Sequence, residues 1–388
     1  MTPAELSRTV AHVVRGAVDE GALGPVGDVV AAAVKVERPR PGGAGDYASG
    51  IALQLASAAG LPPRQVAEVL RRRIADRPGI ASVEISGPGF LNITLDRDAQ
   101  YDVVRRILRS AGAHPATSAT SANPANPANP ANPANPATSA TSVMTVTTAT
   151  TVTAESSAAT SAGPAPTPYG HSDALRGQVH DFVETMDERG RIVTEVVVRL
   201  LRTQGAVARV VAAGAAAGGG RTLAVVPSPR PGFAELVGAD AARWAMLRAA
   251  RHDRPRTDVE ELLAQRESNA LFRVRYAYSR SRALTRNALE LGFRSEAGPV
   301  PEGGALLGAV CDYPAVLDGA ARHQAPDRLA RHLEVVADEL LRHQHTVLPL
   351  GDEKPSAAHR SRLALAEAAG AVLAGGLSLL GIDAPELL

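Results

Sequence analysis

The chain has 388 residues, and its 41 Lys and Arg against 40 Asp and Glu leave it close to neutral, so no global positive field marks it as a nucleic-acid binder. Any electrostatic footprint has to come from local clusters of arginine, because the only lysines are Lys35 and Lys354. One cysteine, Cys311, excludes an internal disulfide framework and a Cys-rich metal site and fits a reducing compartment, so the expected location is the cytoplasm. Met1 to Val14 lacks a charged-then-apolar leader pattern, and the apolar runs look too broken by Arg and Gly to span a membrane.

Length and apolar content suit two or three globular units. In the first, residues 1–112, apolar periodicity predicts a helix from Pro3 to Ala22. A strand-like run from Ala32 to Val36 follows, then helices over Ala48–Ala59 and Pro63–Ala75, with Asp46 as N-cap of the former. Strands are expected at Ala81–Ile85 and Phe90–Leu95 around the turn Gly87-Pro88-Gly89, and a helix through Arg105, Arg106 and Arg109 closes this α/β domain.

Residues 113–167 change character. Ala-Asn-Pro triplets run to Pro136 and give way to Ser, Thr and Ala, a composition too poor in large apolar side chains to offset its own ordering entropy. A disordered, extended tether is expected, and even Val143 to Val152, which has strand propensity, is dominated by Thr. Residues 168–231 carry a helix candidate at Gln178–Arg189 and an apolar run from Ile192 to Leu201. Residues 232–388 read as a helix bundle, with helices at Ala239–Ala249, Val259–Ala264, Leu271–Gly292, Gly303–Asp318, Asp327–Val347 and Ala357–Leu380.

Three groups of residues carry a likeness. Val36-Glu37-Arg38-Pro39-Arg40, Gly45-Asp46-Tyr47-Ala48-Ser49 and Gly87-Pro88-Gly89-Phe90-Leu91-Asn92 resemble the N-terminal tRNA-binding domain of arginyl-tRNA synthetases. Val237-Gly238-Ala239-Asp240-Ala241-Ala242-Arg243-Trp244 and Ser268 to Arg280 resemble that family's DALR-type helical anticodon-binding domain. Between them, Tyr169-Gly170-His171-Ser172-Asp173 and Val196 to Leu201 look like a worn part of the catalytic fold, its V-R-L-L strand included, with Arg209 to Gly214 where the family has R-M-S-K-R-A-G. The resemblance therefore implies an α/β N-terminal domain, a linker, a partial, degenerate α/β nucleotide-binding remnant and an all-α C-terminal bundle.

What it implies about chemistry is uneven. Adenylate formation needs preorganised donors for the charge that builds on the α-phosphate of ATP. No two of the ten histidines are spaced as H-x-G-H, and alanine replaces the signature lysine after Arg209. We therefore expect no catalytic residue, no cofactor and no metal. His171 with Asp173, and His343 with His345, lack further ligands at a metal-binding spacing, Gly218-Gly219-Gly220 lacks the Lys-Ser/Thr of a phosphate loop, and Cys311 reads as a small buried hydrophobe.

For tRNA, the resemblance implies D-loop contacts at Asp46, Tyr47, Gly87, Gly89, Phe90 and Asn92, with Arg71 and Arg72 as an adjoining basic patch. The competing reading gives the two glycines to a turn and Phe90 to the core. Anticodon contacts fall on Arg273, Arg275, Tyr276, Tyr278 and Arg280; Arg273, Tyr276 and Arg280 share a helix face, where rings stack bases and guanidinium groups reach phosphates. The expected function is a non-catalytic tRNA-binding protein whose two modules gain avidity across the tether. Its expected partners are tRNA, arginine tRNA among the candidates, and an active synthetase or another tRNA-using enzyme, with no membrane. The alternatives are arginine–tRNA ligase, which would use ATP, and a protein-interaction scaffold.

Overall fold

The chain starts with a helix that the sequence caps at once. The Thr2 hydroxyl accepts from the Glu5 amide and the Glu5 carboxylate accepts from the Thr2 amide, a reciprocal box that satisfies free helix-end donors and starts α1, Pro3–Asp19. Leu6, Val10, Val13, Val14 and Ala17 recur at helical spacing and form its buried stripe. The computed structural model describes residues 1–24, 34–39, 44–112, 167–212, 220–228, 230–300 and 303–388. The expected tether, the Thr/Val stretch within it, most of the glycine run and part of the Ala32–Val36 strand lie outside these residues.

Next come β1 (Tyr47–Ser49), α2 (Ile51–Ala59), α3 (Pro63–Ala75), β2 (Ile80–Ser86) and β3 (Phe90–Leu95), the strands forming an antiparallel sheet in the order β1-β3-β2. Ile93 faces Tyr47 on one side and Val83 on the other, so register and alternation together put Leu91, Ile93 and Leu95 into a core shared with α1, α2 and α3. The described part of the Ala32–Val36 strand is not a strand; the ladder touches this segment only at an isolated bridge between Glu37 and Ala48. Asp46 does not cap the next helix. Its carboxylate accepts from the Leu95 amide at 2.8 Å, three residues go to β1, and Gly50 stands at the helix start.

α4, Arg97–Gly112, completes this region in sequence, yet Tyr101, Val103, Val104 and Ile107 are buried in the second core, among the helices that follow Thr167. That core also receives β4 (Val179–Val183), α5 (Glu188–Thr203), β5 (Val207–Val211), α6 (Phe233–Val237), α7 (Ala239–Arg248), α8 (Val259–Leu263), α9 (Ala270–Glu290), α10 (Gly304–Arg322), α11 (Pro326–His343) and, after a 3₁₀ turn, α12 (Ala357–Leu380). Met1–Ala111 and Thr167–Leu388 form one compact unit.

The expected helix Gln178–Arg189 is instead β4, paired in parallel with β5 from Val179↔Val207 to Val183↔Val211. The apolar run after it, V-R-L-L included, is α5 and not a strand. A fully buried helix and a buried parallel strand both read as continuous apolar sequence, and sheet pairing with β5 outweighs local propensity at 179–183.

Close helix packing explains the small residues of α12. A side chain on Gly370 would strike Ser281 of α9, and one on Gly376 would strike Leu333 of α11. This helix is long and apolar enough to cross a membrane, contrary to the reading from sequence, but most of it is buried inside the bundle. It is a core helix here.

Candidate nucleic-acid interface

Asn269, itself buried, builds the start of α9. Its side-chain oxygen accepts from the amides of Leu271 (3.1 Å) and Phe272 (3.3 Å), while its amide donates to the carbonyls of Leu262 (2.8 Å) and Ala264 (2.9 Å). Leu271, Val274, Ala277, Leu284 and Ala288 turn inward, so the expected basic-aromatic stripe lies beside the buried face. Tyr276 is 42% exposed, and its ring stacks on Phe272 with centroids 6.0 Å apart and planes 8° from parallel. The sequence reading missed Phe272, although its i, i+4 spacing from Tyr276 was visible.

The arginines of the stripe are engaged. Arg273 Nε lies 2.7 Å from Asp338 Oδ1, with Glu334 at 3.8 Å, both on α11. Arg275 bonds Asp240 and donates to the Asp383 carbonyl at 2.9 Å, holding α9 to α7 and the chain end. Arg280 Nε donates to Gln344 Oε1 at 2.7 Å and is only partly buried. Tyr278 is half-buried, which raises its phenol pKa. Arg273 turns to α11 and Arg280 to Gln344, whereas Arg275 turns to Asp240 and Asp383; acids on neighbouring elements, which no local pattern reveals, make Arg273 and Arg275 packing residues.

The N-terminal group divides in the same way. Tyr47 is 4% exposed, burial holds its phenol well above the usual range, and the Arg38 guanidinium covers its ring at 5.7 Å. Asn92 is buried and donates to Ser86 Oγ at 2.9 Å. Asp46 is spent on Leu95. Gly87 (φ 53°) and Gly89 (φ 144°) hold backbone that L-residues avoid, and a side chain on Gly89 would meet the Pro63 carbonyl at 3.0 Å, so the turn reading stands. Phe90 does not pack in the core. It is 43% exposed, lying against Gly50, where a Cβ would come within 3.4 Å of its ring. Arg72 is exposed, whereas Arg71 and Arg73 are paired with Glu68 and Glu20. Phe90, the turn and Arg72 are what this domain presents to solvent from the expected set.

The middle of the chain forms a β4-α5-β5 crossover, with the Arg221 backbone bridging the other side of β4. Two ends that could meet phosphate are occupied by acids. Arg209 forms a two-point pair with Asp181, 2.8 and 3.1 Å, which lowers the Asp181 pKa through that hydrogen bond. Asp187 caps α5, accepting from Gly190 N at 2.6 Å and Ser228 N at 3.3 Å, and so places a carboxylate where a crossover helix would otherwise attract an anion. No three His, Cys, Asp or Glu side chains among the described residues could hold a metal. Cys311 is buried, which pushes its thiol up to about 12 and leaves it inert.

Arg189 was not singled out from sequence. It is fully buried and its guanidinium donates to five carbonyls, those of Met246, Val226, Asp253, Ala249 and Ala250, at 2.7 to 3.1 Å. Burial lowers its pKa, while Asp187 and Asp253 oppose the shift. It fastens the start of α5 to the end of α7, where helix carbonyls lack partners of their own.

Comparison with known proteins agrees with this layout. Residues 4–95 match the arginyl tRNA synthetase N terminal domain and residues 274–388 the DALR anticodon binding domain. Proteins named arginine–tRNA ligase from Renibacterium salmoninarum (28% identical) and Frankia alni (29%) align over the whole of both chains. Those alignments run over 547 and 556 positions, against 388 residues in this chain, so each opens gaps here. The arginyl-tRNA synthetase structures of Thermus thermophilus (TM-score 0.62, 12% identity, all of both chains) and Plasmodium falciparum (TM-score 0.59, 8% identity, all of this chain and 99% of that one) share the fold. With a matching domain at each end and relatives aligned from end to end, the chain belongs to the arginyl-tRNA synthetase family.

Proposed function

We propose that this protein binds tRNA and does not aminoacylate it. The observation that carries the reading is the state of the crossover at residues 179–211: its cation, Arg209, is neutralised by Asp181, and its helix N-terminus is closed by Asp187. Losing even one donor to a developing oxyanion typically costs about two to three orders of magnitude in rate, and here the signature histidines and lysine are both missing. Residues 168–231 are then a remnant of the catalytic domain, and no catalytic residue, metal or cofactor is assigned.

For RNA, the Phe272–Tyr276 stack offers an open ring to an unpaired base and Arg280 a cation beside it, with Phe90, the Gly87–Gly89 turn and Arg72 as the second contact. Both patches belong to one compact unit, so recognition rests on the shape of a folded tRNA and not on avidity between separate modules. Arginine tRNA, a cytoplasmic location and a tRNA-using enzyme as partner belong to this proposal.

A second reading is favoured by the names of the aligned relatives: arginine–tRNA ligase activity with ATP. ATP–pyrophosphate exchange with arginine and total tRNA separates the two. Exchange at the level of a no-enzyme blank supports the proposal; arginine-dependent exchange above it ends the proposal. If the protein retained no tRNA either, a protein-interaction scaffold would be the remaining function.

A further inference from the structure

α10 and α11 run antiparallel, and one face of each opens onto a shared cavity of about 530 Å³, within the range of about 300 to 1,000 Å³ usual for small-molecule sites. Asp312, Ala315, Val316 and Gly319 line it from α10, at i, i+3, i+4 and i+7. Arg328, Arg331, His332 and Val335 repeat that spacing on α11. Ala315 and Gly319 keep the groove wide, and His332 is held as a wall by stacking on Tyr313, with centroids 6.2 Å apart.

The two ends differ. At one, residues 36–38 form a roof, and the Arg38 guanidinium lies so close on the backbone of Gly308 that any side chain there would clash; its Nε bonds Asp312 Oδ2 at 2.9 Å. Val36 and Val335 give this end an apolar lining. At the other, Arg328 reaches over Gly319, has no ion pair among the described residues, and sits one turn from Arg331, which is only loosely paired to Asp327 at 3.5 Å. From Asp312 to Gly319 the helix rises about 10 Å, comparable with the reach from a base to its 5′-phosphate.

We propose that this groove binds one nucleoside 5′-phosphate, either as a free nucleotide or as an unstacked nucleotide of a bound RNA. The base lies against Val36 and Val335 with its amino group toward the Asp312 oxygen that Arg38 Nε leaves unused, and the phosphate is held by Arg328 and Arg331. Charge-assisted bonds to phosphate supply affinity, and the span from Asp312 to Gly319 matches one nucleotide in length. The RNA-borne form rests on the tRNA-binding reading; the free form does not.

Calorimetric titration of the full chain with AMP and with adenosine tests the site. We expect AMP to saturate it and adenosine to bind at least about tenfold more weakly, since it lacks the group the arginines hold. Arg328→Ala with Arg331→Ala should lower AMP affinity at least about tenfold, and Ala315→Leu, which leaves the cations in place and fills the groove, should lower it as well. Unchanged thermal melting verifies that each variant is folded. No saturation by AMP up to about 10 mM, equal binding of AMP and adenosine, or AMP binding unaffected by both groove variants would overturn the proposal. Titration with tRNA identifies the source. If the groove variants and Tyr276→Ala each weaken tRNA binding, the nucleotide is RNA-borne; if only Tyr276→Ala does, while AMP binding is lost in the groove variants, the ligand is free. Were tRNA not bound at all, the tRNA reading would fail, and AMP saturation would still support the groove.

Discussion

Asp181 holds Arg209 by two hydrogen bonds across the parallel pair β4–β5, at 2.8 and 3.1 Å. These residues are opposite each other in register, so the ion pair is fixed by the sheet itself. A guanidinium so placed spends its planar fork on a carboxylate and not on a nucleotide. Asp181→Asn removes that competitor. Because the histidine and lysine signatures are also lacking, ATP–pyrophosphate exchange by Asp181→Asn is expected to stay at the no-enzyme blank; a gain of arginine-dependent exchange would show that the pair masks a working site.

Arg189 is the opposite case, a cation with no ion pair among the described residues whose hydrogen-bond partners are backbone carbonyls. Arg189→Met takes the donor from five carbonyls, of which only that of Ala250 keeps another partner among the described residues, the Asp253 amide at 2.9 Å. Each buried group so stranded costs about 1 to 3 kcal/mol, so the variant is expected to lose at least about 3 kcal/mol in a urea melt. A loss under about 1 kcal/mol would mean that water replaces the side chain.

Glu5 makes stability depend on acid. Burial works to raise its carboxyl, but the hydrogen bonds from Arg106 and Thr2 outweigh it and hold the pKa down at about 2, against 4.5 for the free group. The folded state therefore prefers ionised Glu5. Its contribution is complete above pH 4.5 and is lost as pH falls from there toward 2. Denaturation at a series of pH values should show stability dropping through this window in the wild type, with a shallower slope in Glu5→Gln.

Gly376 lies under Leu333, which would sit 2.4 Å from a Cβ placed there. Overpacking of a core helix costs about 1 to 3 kcal/mol, so Gly376→Val should lower the melting temperature by several degrees, whereas Gly16→Ala, in open space on α1, should not lower it.

Tyr276 and Arg273 separate RNA contact from packing. Loss of one base-stacking ring costs about 1 to 3 kcal/mol of RNA affinity, and Tyr276→Ala should show this with the melting temperature unchanged. Arg273→Ala removes the contacts to Asp338 and Glu334 and should lower stability, with tRNA affinity in folded protein altered less than in Tyr276→Ala. The reverse pattern would place RNA on the Arg273 side of α9.

Much of the fold was legible because its signals are local. Helical spacing in α1, α3, α9 and α12 and the Gly87-Pro88-Gly89 turn between two alternating strands gave their elements within a few residues. What failed depended on partners distant in sequence. Val179–Val183 is a strand only because Val207–Val211 lies beside it, and Asp46 leaves its capping position for Leu95. Among the site residues, the family resemblance picked out Tyr276 and Phe90, which are exposed, but also Tyr47, Asn92 and Arg275, which other segments bury or bind. Arg189 carried no pattern at all, since its acceptors come from two distant stretches of backbone, Val226 and residues 246–253.

The most direct test is to recover the full-length protein from its own cells and sequence the RNA retained with it. The account predicts tRNA enriched over a bead control, with that enrichment reduced in Tyr276→Ala. Retained RNA no richer in tRNA than the control would contradict it.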